Sequence, residues 1–208
     1  MISAEFGAIW LAWMLAGGSP GPATMGIAGT AMSVGRGQAI AFALGILAGS
    51  ASWGIAAALG LSALMLANAW VFEVIRYFGA AYLGWLALKA LKRAVAPSAG
   101  GPMGTPFQGS FRTLFAKGAA IHLTNPKAIL SWGSIYAIIA PADATTGMLL
   151  GYFALLYGGS IIIFLGYAVL FSSERVVRKY ARAQRWFDFV FAGFFGFASL
   201  KILTARLQ

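Results

Sequence analysis

Cysteine is absent from this 208-residue chain, which removes disulfides, thiolate metal sites and cysteine nucleophiles together. Acid is nearly as scarce. Five Asp and Glu and one histidine leave little material for metal binding or paired-carboxylate catalysis, and no Ser/His/Asp set can be assembled. No catalytic residue, metal or cofactor is therefore expected. Charge of either sign is thin, at 10% of residues against about 25% for a soluble domain. With 60% hydrophobic residues and a mean hydropathy of +0.80, the chain lacks the polar surface to cover a soluble globule. Lipid must be its main solvent.

What is present is long apolar runs. A spanning helix needs roughly 20 mostly apolar residues. Six stretches qualify: 3–33, 39–66, 70–91, 114–140, 146–171 and 187–205. The N-terminus carries Glu5 and no early Lys or Arg, so it reads as a mature span rather than a secretory signal. A Pro/Gly/Ser-rich linker, PSAGGPMGTPFQGS at 97–110, divides the chain into 1–96 and 111–208, with three spans on each side.

The basic residues set the orientation. Arg36, then Lys89, Lys92, Arg93, Arg112 and Lys117, then Arg175, Arg178, Lys179, Arg182 and Arg185 follow spans one, three and five. Only Lys201 and Arg206 fall on the other side, with Glu5 and Asp143 as its acids. The positive-inside rule makes the basic loops cytoplasmic and both termini periplasmic. It also accounts for the net charge of +10 without nucleic acid as a partner. The basic stretch 173–185 suits an interfacial helix on anionic headgroups.

The two halves resemble each other. Residues 80–91 (AAYLGWLALKAL) and 192–203 (AGFFGFASLKIL) share Ala80/Ala192, Gly84/Gly196, Leu88/Leu200, Lys89/Lys201 and Leu91/Leu203. Three spans is an odd number, so the second half enters the membrane from the opposite side. The expected fold is an all-α integral membrane protein of six transmembrane helices, arranged as two inverted three-helix repeats. Transporters built this way bind substrate where the repeats meet, on helices broken at corresponding positions. Here the first span is broken at Ser19-Pro20-Gly21-Pro22 and the fourth at Asn125-Pro126-Lys127.

A proline has no N–H and its ring clashes with the carbonyl four residues back. Pro20, Pro22 and Pro126 should free the carbonyls of Ala16, Gly18 and His122. Freed carbonyls accept from an ammonium, and a restarted helix offers N–H groups to a carboxylate. A zwitterionic amino acid needs both. Lys127 lies deep within its span, where a charge is a functional candidate by default. It serves either the substrate carboxylate or a structural pair with Glu73 or a local carbonyl. Glu73 and Arg76 are three apart and can pair with each other. His122 is either a hydrogen-bonded packing residue or a proton carrier. Gly45 and Gly49 form GxxxG in the second span, and Tyr157-Gly158-Gly159-Ser160 gives the fifth a small face; both suit close packing, a substrate path or a homodimer.

Together SPGP, ALGILAGS (43–50), GAAYLGWLALK (79–89) and HLTNPKAIL (122–130) resemble the LysE/RhtB family of amino-acid exporters. The resemblance implies a bacterial inner-membrane protein that exports amino acids or close derivatives by proton exchange. It implies substrate-binding roles for Ser19, Pro20, Gly21, Pro22, Asn125, Pro126 and Lys127, with His122, Ser50 and Gly49 as coupling or path-lining positions. Several family members carry an acid directly after the second glycine of GxxxG, where this chain has Ser50, which weakens a cationic substrate and leaves the proton carrier unassigned. Another small solute or a metal cation on the same scaffold is the alternative; the shortage of carboxylates argues against a hard cation.

Overall fold

The computed structural model describes residues 4–67, 69–96, 106–141 and 144–204; within these, Glu5, Glu73, Arg76 and Lys201 are described by backbone alone. Asp143, Arg206 and residues 97–105 of the linker lie outside the described residues. The described chain is helical, without strands: α1 (Ala4–Gly18), α2 (Pro22–Ser33), α3 (Arg36–Ala67), α4 (Ala69–Val95), α5 (Phe111–Leu123), α6 (Pro126–Ile139), α7 (Thr146–Leu170) and α8 (Glu174–Thr204).

Both expected breaks are present. α1 stops at Gly18 and α2 starts on Pro22; α5 stops at Leu123 and α6 starts on Pro126. Proline is accepted at the first helical position because the N–H it lacks has no partner there anyway. The breaks shorten α1, α2, α5 and α6 to between 12 and 15 residues, each short of the roughly 20 that a full crossing needs. Among the described residues, two helices are long and apolar enough to cross a membrane on their own, over Arg36–Gly60 in α3 and Thr146–Leu170 in α7.

α8 departs from expectation. The basic stretch at 173–185 is not a separate interfacial helix but the first part of one continuous 31-residue helix. At 1.5 Å per residue that is about 46 Å, well beyond a hydrocarbon core of about 30 Å. The basic turns need not lie in the membrane plane to stay wet.

The most extensive contacts are α4 with α8, α3 with α5 and α3 with α7. Absent side chains make the α3–α5 seam. A Cβ on Gly45 would run into the backbone of Phe115 and Ala119, and one on Gly118 into the backbone of Phe42 and Ile46. The helices can approach only because neither glycine has one. Phe42, Ile46 and Leu114 are fully buried beside this seam. On α7, Gly159 admits Trp13 and Met14 of α1. Between α4 and α8, Gly84 faces Ser199 and Gly196 faces Ala87. Ser199 Oγ donates to the Ala80 carbonyl at 2.8 Å, and Arg93 Nε donates to the buried Asp188 carboxylate at 2.9 Å. The described end of the linker is anchored: Phe107 stacks on Phe42 with ring centroids 4.7 Å apart, and its N–H donates to Thr30 Oγ1.

The outer surface is apolar. Phe78, Trp85, Leu88, Ile162, Leu170, Val190, Phe197 and Leu200 are each at least half exposed. Patches of this extent are rare on soluble monomers and suit contact with lipid tails.

Candidate functional site

The two breaks meet. Lys127, in the first turn of α6, reaches across to α1's end, where its ammonium donates to Ser19 O at 2.9 Å and Ser19 Oγ at 2.6 Å. The α6 terminus is held by Asn125, whose Oδ1 accepts from Lys127 N–H at 3.0 Å. The α2 terminus is held by Thr24, whose Oγ1 accepts from Gly21 N–H and donates to the Ser19 carbonyl at 3.2 Å. A polar side chain at each cap satisfies donors that a proline-started helix would leave open.

Between the breaks lies a cavity of about 40 Å³, bordered by Gly21, Thr24, Ser50, His122, Asn125, Lys127 and Ser131. That is room for roughly three waters at about 10–15 Å³ each. Trp13, Trp132 and Phe164 form its apolar wall. Two indoles are fixed by hydroxyls: Trp13 Nε1 donates to Ser160 Oγ at 3.0 Å and Trp132 Nε1 to Ser50 Oγ at 3.2 Å. His122 is 5% exposed, stands edge-on to Phe164, and keeps its Nδ1 enclosed without a hydrogen-bond partner.

The freed carbonyls are not left open. Ala16 O accepts from Ser19 Oγ at 2.9 Å, Gly18 O from the Tyr167 hydroxyl at 2.6 Å, and His122 O from Asn125 N–H at 3.2 Å. At the end of α5, Leu123 O accepts from Trp53 Nε1 at 3.2 Å and Ala120 O from Thr124 Oγ1 at 2.9 Å. An unpaired carbonyl in hydrocarbon costs several kcal/mol, and these side chains remove that cost. Each of these carbonyls already has one donor, so a substrate ammonium would have only its second lone pair to use.

The sequence-derived positions divide accordingly. Gly21, Ser50, His122, Asn125 and Lys127 line the cavity, and Ser19 touches it through Lys127. Pro22 and Pro126 start the helices whose ends face each other. Pro20 borders a smaller cavity of about 10 Å³, shared with Thr24, Tyr167, Tyr180 and Gln184. Gly49 packs against α5, where an added Cβ would sit 2.9 Å from His122 Cβ. For Lys127, the partner among described residues is a carbonyl and a hydroxyl of Ser19; the side chain of Glu73 is outside them. Trp13, Trp132, Phe164 and Tyr167 had no signal in the local sequence, since each acts across helices remote in the chain; Thr24, whose contacts with Gly21 and Ser19 are local, was missed although it stands two residues after Pro22.

The cavity thus lies where two proline-started helices meet, with the Lys127 amine at its wall. Residues 15–206 match the LysE type translocator family. The chain belongs to that family. This translocator is 34% identical over 183 residues to the threonine efflux protein of Escherichia coli strain K12, covering 85% of this chain and 88% of that protein. It is 32% identical over 182 residues to the threonine efflux protein of Salmonella typhi, with the same coverage. With the leucine efflux protein of Enterobacter sp. strain 638 it shares 29% identity over 167 residues, 80% of this chain and 77% of that protein. No solved structure matches it.

Proposed function

We propose that this translocator is a secondary active exporter of small neutral amino acids across the bacterial inner membrane, driven by proton exchange, with substrate held between the SPGP and NPK breaks. The observation that carries this is the Lys127 ammonium on Ser19, which joins the two breaks at the wall of one cavity. A fixed cation beside a helix N-terminus suits a carboxylate. The efflux relatives, named for threonine and for leucine, point to the same substrate class.

The proposed scaffold is six spans in two inverted three-helix repeats, 1–96 and 111–208, with both termini periplasmic. Its support is the reciprocal contact of α4 with α8. Gly84 faces Ser199 while Gly196 faces Ala87, and in the aligned segments Gly84 corresponds to Gly196 and Ala87 to Ser199. A two-fold axis between the helices produces that exchange of partners.

The test is counterflow in proteoliposomes with a panel of radiolabelled amino acids. Counterflow of at least one neutral amino acid, together with net efflux that stops when the proton gradient is dissipated, is the expected result. Exchange of none refutes the reading, and uptake of a divalent cation instead would favour metal cargo. Metal cargo has weaker support: no group of three His, Asp or Glu gathers among the described residues.

A further inference from the structure

The two cavities follow one another along the same helices. The larger is bordered by Trp13 and Gly17 on α1 and by Ser160 and Phe164 on α7. The smaller is bordered by Met25 and Ala28 on α2 and by Tyr167 further along α7, with Tyr180 and Gln184 of α8 as its far wall. On both stretches of chain the smaller cavity comes later, toward the ends of α2 and α7 that lead into Arg36 and the basic turns of α8. It therefore lies on the side of the SPGP break that faces the basic loops. In the orientation proposed above, that side is cytoplasmic.

The walls of this smaller cavity differ from each other. Against the break its polar groups are satisfied: the Tyr167 hydroxyl donates to Gly18 O at 2.6 Å, and Thr24 Oγ1 is bonded to Ser19 O and Gly21 N–H. On α8 they are not. The Tyr180 hydroxyl and the Gln184 amide belong to half-buried residues and have no hydrogen-bond partner among the described residues. α2 packs on α3 and α7 and hardly touches α8 across this space. At about 10 Å³ the cavity holds roughly one water, so it is closed to anything larger. The Tyr180 ring that closes it leans edge-on against Phe171 at 5.1 Å and stacks on Phe187 at 5.5 Å. That wall is held by ring contacts, not by hydrogen bonds.

We propose that the smaller cavity is the cytoplasmic entry subsite of the export path, where Tyr180 and Gln184 take up an amino acid before it passes the SPGP break to Lys127. This rests on the export reading and the orientation above. A zwitterion needs a donor for its carboxylate and an acceptor for its ammonium. The Gln184 amide supplies both, and the Tyr180 hydroxyl supplies either. No charged side chain borders the subsite among the described residues, so cargo is held weakly there, as it must be to move on. Beyond the break the Lys127 ammonium adds the fixed charge that draws the carboxylate inward. The basic turns of α8 raise the concentration of carboxylates at the mouth. Entry requires Tyr180 to turn off Phe171, and passage requires Tyr167 to release Gly18 O.

The chain has no cysteine, so a single introduced thiol reports its own position. Met25→Cys and Gln184→Cys place one on opposite walls of the subsite, and Arg178→Cys, at an exposed position of α8, reports the orientation. Each variant is treated with a charged, membrane-impermeant methanethiosulfonate in inside-out and right-side-out vesicles, with and without threonine or leucine. Met25→Cys and Gln184→Cys should react from the cytoplasmic face alone. An amino acid at ten times the concentration that half-saturates its counterflow should slow that reaction about ten-fold. Adding Tyr180→Phe and Gln184→Leu to Met25→Cys should raise the protecting concentration about ten-fold, since two contacts to a charged ligand are lost. Reaction from neither face makes the cavity a packing void, and reaction from the periplasmic face alone makes it an exit; either overturns the proposal. So does reaction that neither amino acid slows, and undiminished protection removes Tyr180 and Gln184 from the subsite. Reaction of Arg178→Cys from the periplasmic face overturns the orientation and the entry role together. Counterflow of no amino acid by wild type refutes the export reading itself, a result seen without any labelling.

Discussion

Replacing Lys127 by methionine separates a substrate contact from a structural brace. The side chain makes two charge-assisted hydrogen bonds to Ser19, at 2.9 Å and 2.6 Å. Taken alone, bonds to a charged group contribute about 1.5–3 kcal/mol each. Neither acceptor is orphaned by their loss, however. Ser19 O keeps Thr24 Oγ1 at 3.2 Å, and Ser19 Oγ still donates to Ala16 O at 2.9 Å. Methionine also ends the cost of holding an ammonium away from water. These terms oppose, so the net loss should stay within about 2 kcal/mol, or roughly 4–8 °C in Tm for a chain of this size.

Substrate binding should respond far more. Without the ammonium, the carboxylate loses its fixed partner and affinity should fall about ten- to a hundred-fold. Lys127→Arg should restore only part of it, because a planar guanidinium has a different shape from a compact ammonium. Ser19→Ala is the control: the ammonium stays, one of its two bonds goes, and affinity should change by no more than a few-fold. The assay is amino-acid binding to detergent-purified variants beside their thermal melts. An unchanged affinity with Tm lowered by more than about 8 °C would assign Lys127 to the fold and refute its contact with substrate.

Three further outcomes follow from the geometry. Pro20→Ala with Pro22→Ala should allow α1 and α2 to join and abolish exchange at equal membrane abundance; wild-type exchange in that variant would reduce SPGP to a kink. Tyr167→Phe removes the 2.6 Å donor to Gly18 O and should cost about 1–3 kcal/mol, read as a lowered Tm, and an unshifted melt would mean another donor reaches that carbonyl. Arg93→Met should lower Tm more than Asp188→Asn, because it strands a carboxylate whose side chain is 2% exposed, whereas the guanidinium, at 29%, can turn to water. Equal melts for the two would contradict that asymmetry.

The positions of both breaks were legible because proline acts locally: the missing N–H and the ring clash are properties of Pro20, Pro22 and Pro126 themselves. The GxxxG seam was legible for a related reason, since a missing Cβ at Gly45 is visible in the sequence even when its partner helix is not. The partners were not. Gly18 O is closed by Tyr167 and Leu123 O by Trp53, residues 149 and 70 positions away. Nothing in an apolar run marks one tyrosine as a cap rather than a wall. The join between the basic stretch at 173–185 and the sixth span was not legible, because charge density changes sharply near 186 while the backbone, which meets no Gly or Pro between 174 and 192, continues as one helix.

Those remote caps bear on how the proposed transport would run. Gly21 borders the larger cavity and Pro20 the smaller, with Thr24 on both, so the SPGP break lies between two spaces. It is pinned from the α6 side by Lys127 on Ser19 and from the α7 side by Tyr167 on Gly18 O. A substrate carboxylate arriving at Lys127 competes with Ser19 for the same ammonium. Carboxylate is the stronger acceptor, because both partners are then ionised. Drawing the amine away leaves Ser19 O with Thr24 alone and removes the tie between α1's end and α6. A ligand can shift a conformational equilibrium only by its difference in affinity for the two states. Here the difference has a named source: the carboxylate binds where Lys127 has let go of Ser19, and an amino-acid amide, which lacks that charge, should leave the break closed.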